Sequence, residues 1–171
     1  GKQKLSWSFN RSAIHQRLHH CLPQLTYLGS CLNASIRSCL NARSEMSGTG
    51  KQYLFDTNIF IYYFNGEPVL EPLFNEVLLG KASVLYCPIS WVEILCYPAL
   101  TPEEAQQIRL FLRKLERIEL TESILDRAAQ IRMAYRTALP DAVIAACAIL
   151  TASTLVTRNE VDFNRISGLT V

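Results

Sequence analysis

From Met46 to its last residue the chain contains no histidine. His15, His19 and His20 all lie before that point. A Ser-His-Asp triad, a His-paired cysteine nucleophile, a pair of imidazole acid–base groups and a His-rich zinc site are therefore excluded from residues 46–171. None of the six cysteines forms a C-x-x-C pair. Cys87, Cys96 and Cys147 sit in apolar runs and read as buried free thiols acting as small hydrophobes. No apolar run reaches the roughly 18 residues of a membrane span, and no signal-peptide core is present. These absences read as a reduced, cytoplasmic protein with no membrane partner.

Charge of one sign is also scarce overall. The 171 residues hold 17 Lys+Arg and 15 Asp+Glu, for a net of +2. That balance conceals a division. Residues 1–45 hold six basic residues and Glu45, a net of +5, which leaves 11 basic and 14 acidic residues, a net of −3, for residues 46–171. Hydrophobic residues at 49% and charged residues at 19% exclude a disordered class. The length predicts one compact domain with an appendage.

Residues 1–51 show little periodicity, are rich in Ser and Asn, and end in the linker-like Ser47-Gly48-Thr49-Gly50. They read as a poorly structured, non-native extension, with Met46 as a natural start. A short helix over 13–22 would place His15 and His19 at i, i+4, but no second ligand pair has suitable spacing. Gly48-Thr49-Gly50-Lys51 fails as a phosphate loop, with Glu45 and Gln52 where Gly and Ser/Thr are needed.

Residues 52–171 read as one domain of alternating strands and helices. Strands are expected at 53–55, 83–87, 118–120, 154–157 and 169–171. Helices are expected at 58–64, 69–79, 90–96, 122–135 and 140–151, and one after Thr101-Pro102-Glu103-Glu104, which has the form of a capping box. This alternation implies an α/β fold with a mainly parallel sheet covered on both faces. Reactive groups in such sheets gather at the carboxyl ends of the strands.

Acids stand at those ends. Asp56 ends the first strand, Glu93 follows the second, Asp141 opens an apolar helix, and Asn159 and Asp162 follow the 154–157 strand. Each has a structural explanation. Ser90-x-x-Glu93 could be a capping box, Asp141 could complement a helix dipole, Asp56 could cap a helix, and Asp162 could be a turn residue. Together, in a histidine-free domain, they make a hard-oxygen site suited to Mg²⁺ or Mn²⁺. Such an ion can activate water for attack on a phosphodiester.

The motifs Tyr53-Leu54-Phe55-Asp56-Thr57-Asn58, Ser90-Trp91-Val92-Glu93-Ile94, Leu139-Pro140-Asp141-Ala142 and Leu155-Val156-Thr157-Arg158-Asn159, closing with Asp162-Phe163, occur in an order that resembles the PIN domain family. The likeness is greatest to the VapC toxins of bacterial toxin–antitoxin systems. The resemblance implies an α/β/α sandwich, metal-dependent endoribonuclease activity on an RNA substrate, and a cognate antitoxin protein. It implies Asp56, Glu93 and Asp141 as the main metal-binding acids, with Thr57, Asn58 and Thr157 shaping the site. Many relatives place an acid directly after Thr-Arg, where this chain has Asn159. Either Asn159 or Asp162 could serve there, as a ligand or a catalytic group.

Arg109, Arg113 and Arg117 at i, i+4, i+8 suggest a helix stripe, read equally well as a solvated face or an RNA track. The apolar segments 59–64 and 69–79 are available for a homodimer or an antitoxin groove. A haloacid-dehalogenase-type phosphatase would need a second acid two residues after Asp56, where Asn58 stands. A catalytically weak PIN-like binding module is the remaining alternative.

Overall fold

The computed structural model describes residues 10, 12–13, 51–79 and 81–171. The extension read at 1–51 therefore lies almost wholly outside the described residues, as do its histidines and Cys21, Cys31 and Cys39.

The chain runs β1 (Lys51–Phe55), α1 (Thr57–Phe64), a 3₁₀ turn (Pro68–Leu70), α2 (Glu71–Leu78), β2 (Ala82–Tyr86) and α3 (Pro88–Leu95). It continues through α4 (Pro102–Leu112), β3 (Glu116–Arg117), α5 (Glu122–Tyr135), α6 (Leu139–Leu150), β4 (Thr154–Val156) and α7 (Glu160–Phe163). The sheet has four strands in the order β3-β2-β1-β4, all parallel. Leu54 pairs with Leu85 on one side and Leu155 on the other. The chain steps outward from β1 to β2 and β3, then returns to β1's other edge through β4. The strand order thus reverses between β1 and β4, and a parallel sheet opens a crevice at the carboxyl ends of such a pair.

Strand side chains alternate between two cores, as a sheet buried on both faces requires. Phe55, Val84 and Tyr86 join α1, α2, α3 and α4 on one face, where Tyr63 and Phe74 stack with centroids 3.6 Å apart. Leu54, Leu85 and Leu155 join α5 and α6 on the other. Ala142, Ala145, Ala146 and Ala148 are all buried, which explains why α6 is apolar nearly all round. Asn65-Gly66 turns the chain after α1, and Gly66 takes φ +84°, open to glycine without strain.

α4 begins with the expected capping box: Thr101 Oγ1 accepts from Glu104 N at 3.2 Å, and Glu104 Oε2 accepts from Thr101 N at 2.9 Å. Thr101→Ala is expected to lower unfolding stability by about 1 kcal/mol, read by urea denaturation, with an unchanged m-value.

Several boundaries differ from the sequence reading. Pro88 opens α3 at its first position, where a missing N–H is harmless, so the helix starts two residues before the expected 90. Cys87 is then the N-cap and Ser90 lies inside the helix, so Ser90-x-x-Glu93 is no capping box. β3 lies at 116–117, before the expected 118–120, although Ile118 N still bonds Tyr86 O at 3.1 Å. Residues 169–171 form no strand; one bond, Leu155 N to Thr170 O at 2.8 Å, ties them to β4. α4 ends at Leu112 and Arg117 lies in β3, so the arginine stripe does not share one helix. α1 is mostly core, with Ile59, Phe60, Ile61, Tyr63 and Phe64 buried, and is no open docking face. Cys87 and Cys147 are buried thiols with sulfurs 3.9 Å apart, but Cys96 is exposed. No helix among the described residues is long and apolar enough to cross a membrane.

Candidate active site

At the β1/β4 switch point the structure opens a cleft of about 460 Å³ lined by Asp56, Thr57, Asn58, Glu93, Asp141, Asn159 and Asp162, with Ile61, Tyr62, Cys96 and Arg158. All the acids read from the sequence therefore line one cleft. Thr157 is the one site residue of the sequence reading that does not line it, and it supports the cleft from beneath.

Asp56 follows β1 and continues the ladder, its N–H bonding Val156 O at 3.0 Å. Its carboxylate caps α1, accepting from Thr57 N at 2.7 Å. The other oxygen accepts from Asn58 Nδ2 at 2.6 Å and Thr157 Oγ1 at 2.7 Å. The capping role and the site role are thus combined in one side chain. Burial pushes the Asp56 carboxyl above its ordinary pKa, Glu93 adds to that, and the hydrogen bonds oppose it.

Thr57 joins β1's end to α3. Its hydroxyl lies 2.5 Å from Glu93 Oε2 and 2.9 Å from buried Ser90 Oγ. A hydroxyl has one proton, and the carboxylate is the stronger acceptor. Glu93 sits half-buried on α3, with Cys96 three residues on. Asp141 lies in the first turn of α6, so the helix dipole does favour its charge. Burial first, then repulsion from Asp56, Glu93 and Asp162, nevertheless push its carboxyl up to about 6.

Asn159 and Asp162 act as one unit, with Asn159 Nδ2 donating to Asp162 Oδ2 at 3.0 Å. Asn159 N also bonds Thr157 Oγ1 at 3.0 Å, so the loop after β4 is tied back to the hydroxyl that holds Asp56. Arg165 stands 3.9 Å from Asp162. The other ion pair among the described residues is Arg158–Glu67, so none of them pairs a cation with Asp56, Glu93 or Asp141. Asn58 spends its amide on Asp56, which leaves no second acid for a phosphatase-type mechanism.

Tyr62, Cys96 and Arg158 escaped the sequence reading of the site. Helical periodicity held the signal: Tyr62 is four residues after Asn58 on α1, and Cys96 three after Glu93 at the end of α3.

The donor chemistry of the cleft matches a divalent cation. Its wall offers carboxylate and amide oxygens from four separate elements, without imidazole, and burial together with like-charge repulsion already raises Asp141. Hard oxygen donors of this kind suit Mg²⁺ or Mn²⁺. The carboxylates do not converge further: no three acidic, histidine or cysteine side chains among the described residues stand as a preformed coordination cluster. The residues fit such an ion by chemistry and charge.

Fold and site together define a parallel α/β protein with an acidic, oxygen-lined cleft at its topological switch point. Residues 53–169 match the PIN domain family, to which the chain belongs, with a fold like that of the VapC toxins. A solved toxin–antitoxin complex from Klebsiella pneumoniae is 32% identical, with TM-score 0.57, covering 70% of this chain and 96% of that one. VapBC2 from Rickettsia felis, bound to a DNA fragment from its promoter, is 24% identical with TM-score 0.61 and the same coverage. DNA-bound VapBC from Salmonella typhimurium is 23% identical with TM-score 0.62, again at 70% and 96% coverage. No curated protein matches the sequence.

Proposed function

We propose that the chain is a divalent-metal-dependent endoribonuclease, the toxin of a toxin–antitoxin pair, acting in the cytoplasm. The observation that supports this most is the gathering of Asp56, Glu93, Asp141 and Asp162 in one cleft, with no cation paired to the first three among the described residues. Membership of the PIN family and the 32% identity to a toxin–antitoxin complex support the toxin assignment and an antitoxin partner.

In this reading Asp56, Glu93 and Asp141 hold Mg²⁺ or Mn²⁺, with Asn159 and Asp162 beside them. A bound divalent ion would lower the pKa of water and offset charge developing on the phosphorus oxygens. The protein's own part is orientation. Three donors fix the Asp56 carboxylate, and the Thr57 hydroxyl fixes Glu93. Thr157 sets both Asp56 and the Asn159 backbone, so one hydroxyl keeps two walls in register. The cleft has room for a nucleotide-sized group. A domain of net −3 has weak general affinity for nucleic acid, so its hold on RNA rests on a few phosphate contacts and weakens with salt.

The purified chain, freed of antitoxin, is expected to cleave RNA with Mn²⁺ and to stop on chelation. No cleavage of any cellular RNA with Mn²⁺ would refute the reading. Asn159 and the lack of a preformed cluster among the described residues favour a second reading, a catalytically weak binding module. Calorimetry separates the two, since the module predicts no heat of binding at millimolar Mn²⁺.

A further inference from the structure

We infer that Arg158 is the phosphate-gripping residue of this cleft, an inference that rests on the RNA-processing reading above. Among the described residues it is the one Lys or Arg lining the cleft, set among four acids. An RNA phosphate entering there meets repulsion from every carboxylate, so a cation at the rim is needed to hold it.

The side chain is placed for that role. Arg158 directly follows Thr157, and its N–H reaches Asn58 Oδ1 at 3.4 Å, so its main chain is tied to the residues that hold Asp56. Its guanidinium lies over the Tyr62 ring, Cζ 4.1 Å from the centroid. The ring face attracts the cation and holds it at the cleft wall, and a guanidinium's planar fork matches phosphate oxygens. Glu67 Oε2 approaches Nη1 only to 3.8 Å, and both side chains are substantially exposed, at 51% and 38%. An exposed pair that long is weak and exchanges readily for a phosphate. Glu67 is thus a competitor that keeps Arg158 at the cleft mouth until the substrate arrives.

A purely structural role would have Arg158 and Glu67 stapling the loop after β4 to the turn after α1. The two roles differ in sign. If Arg158 grips phosphate, Arg158→Ala weakens RNA binding while Glu67→Gln, by removing a competitor, strengthens it. A staple predicts that both variants lose thermal stability alike and that neither moves the salt dependence.

The test uses the full chain carrying Asp141→Asn, so that a mixed-sequence single-stranded oligoribonucleotide binds without being cut. Its Kd is titrated against KCl. Adding Arg158→Ala is expected to raise Kd about tenfold and to reduce the slope of log K against log salt by about 0.7, the share of one phosphate. Arg158→Lys should keep the slope and lose part of the affinity. Lys114→Ala, which removes the same charge from an exposed position away from the cleft, should change neither. An unchanged slope in Arg158→Ala, or no RNA binding by the parent protein, overturns the inference. An Arg158-dependent slope in a chain whose unsubstituted form cuts no RNA with Mn²⁺ would sustain the grip and sink the nuclease reading.

Discussion

Asp56→Ala is expected to reduce RNA cleavage by Mn²⁺-loaded protein by about 10³-fold or more. The magnitude follows from the several kcal/mol of charge stabilisation that a divalent ion supplies, at 1.36 kcal/mol per tenfold. Asp56 is the best-fixed acid of the cleft, buried and held by Thr57 N, Asn58 Nδ2 and Thr157 Oγ1. Alanine would also orphan those three donors, each at about 1–3 kcal/mol if left buried without water. Loss of activity in that variant alone could therefore reflect a loosened site. Asp56→Asn separates the causes. It keeps the volume and one acceptor while removing the charge, and burial already disfavours that charge in the metal-free protein. Cleavage should fall as far as in the alanine variant, while the unfolding temperature falls less than with alanine, because the amide keeps one oxygen for these donors and turns an NH₂ toward the others. Cleavage within tenfold of normal in either variant would remove Asp56 from the mechanism.

That Asp56 stands at the cleft was legible because its position is topological. A short apolar run ending in an acid places that acid at the carboxyl end of a buried strand whatever the rest of the chain does. The same logic exposed Asp141 and the Asn159–Asp162 pair. Glu93, like the others, was legible as one of two options, here a capping residue or a site acid. The choice turned on where α3 begins. Pro88 takes the first helical position, which moves Ser90 inside, where Thr57 meets it. Sequence periodicity fixes a helix's face far better than its first residue. β3 was misplaced for a related reason: two residues hold no alternation to read. Tyr62 and Arg158 stayed hidden because neither is unusual alone. Their meaning comes from a contact between α1 and the loop after β4, about a hundred residues apart in the chain.

Asp141→Asn is expected to abolish cleavage and yet make the metal-free protein more stable at neutral pH. In the folded, metal-free chain the Asp141 carboxyl titrates near 6, above its ordinary value of 3.8. Between those values the folded state binds more protons than the unfolded state, so stability falls as pH rises through that window. Asp56, also raised, contributes with the same sign. A shift of about two units corresponds to ~3 kcal/mol at full weight, which partial exposure reduces to about 1–2 kcal/mol. The dipole of α6 opposes with about 0.3–1 kcal/mol in favour of the charge, so repulsion and burial prevail. Asparagine removes the penalty, and the unfolding temperature at pH 7 should rise by about 3–8 °C. At pH 4 the two proteins should differ little. Mn²⁺ reverses the order: it should stabilise the unsubstituted protein at pH 7 and leave Asp141→Asn nearly unmoved. Because a proton competes for the same carboxylate, apparent Mn²⁺ affinity should fall about tenfold for each pH unit below about 6. Thermal unfolding with and without Mn²⁺, across pH 4 to 8, reads all of this in one series. A less stable Asp141→Asn protein at pH 7, or equal stabilisation of both by Mn²⁺, would show that Asp141 serves the α6 dipole and is not part of a metal site.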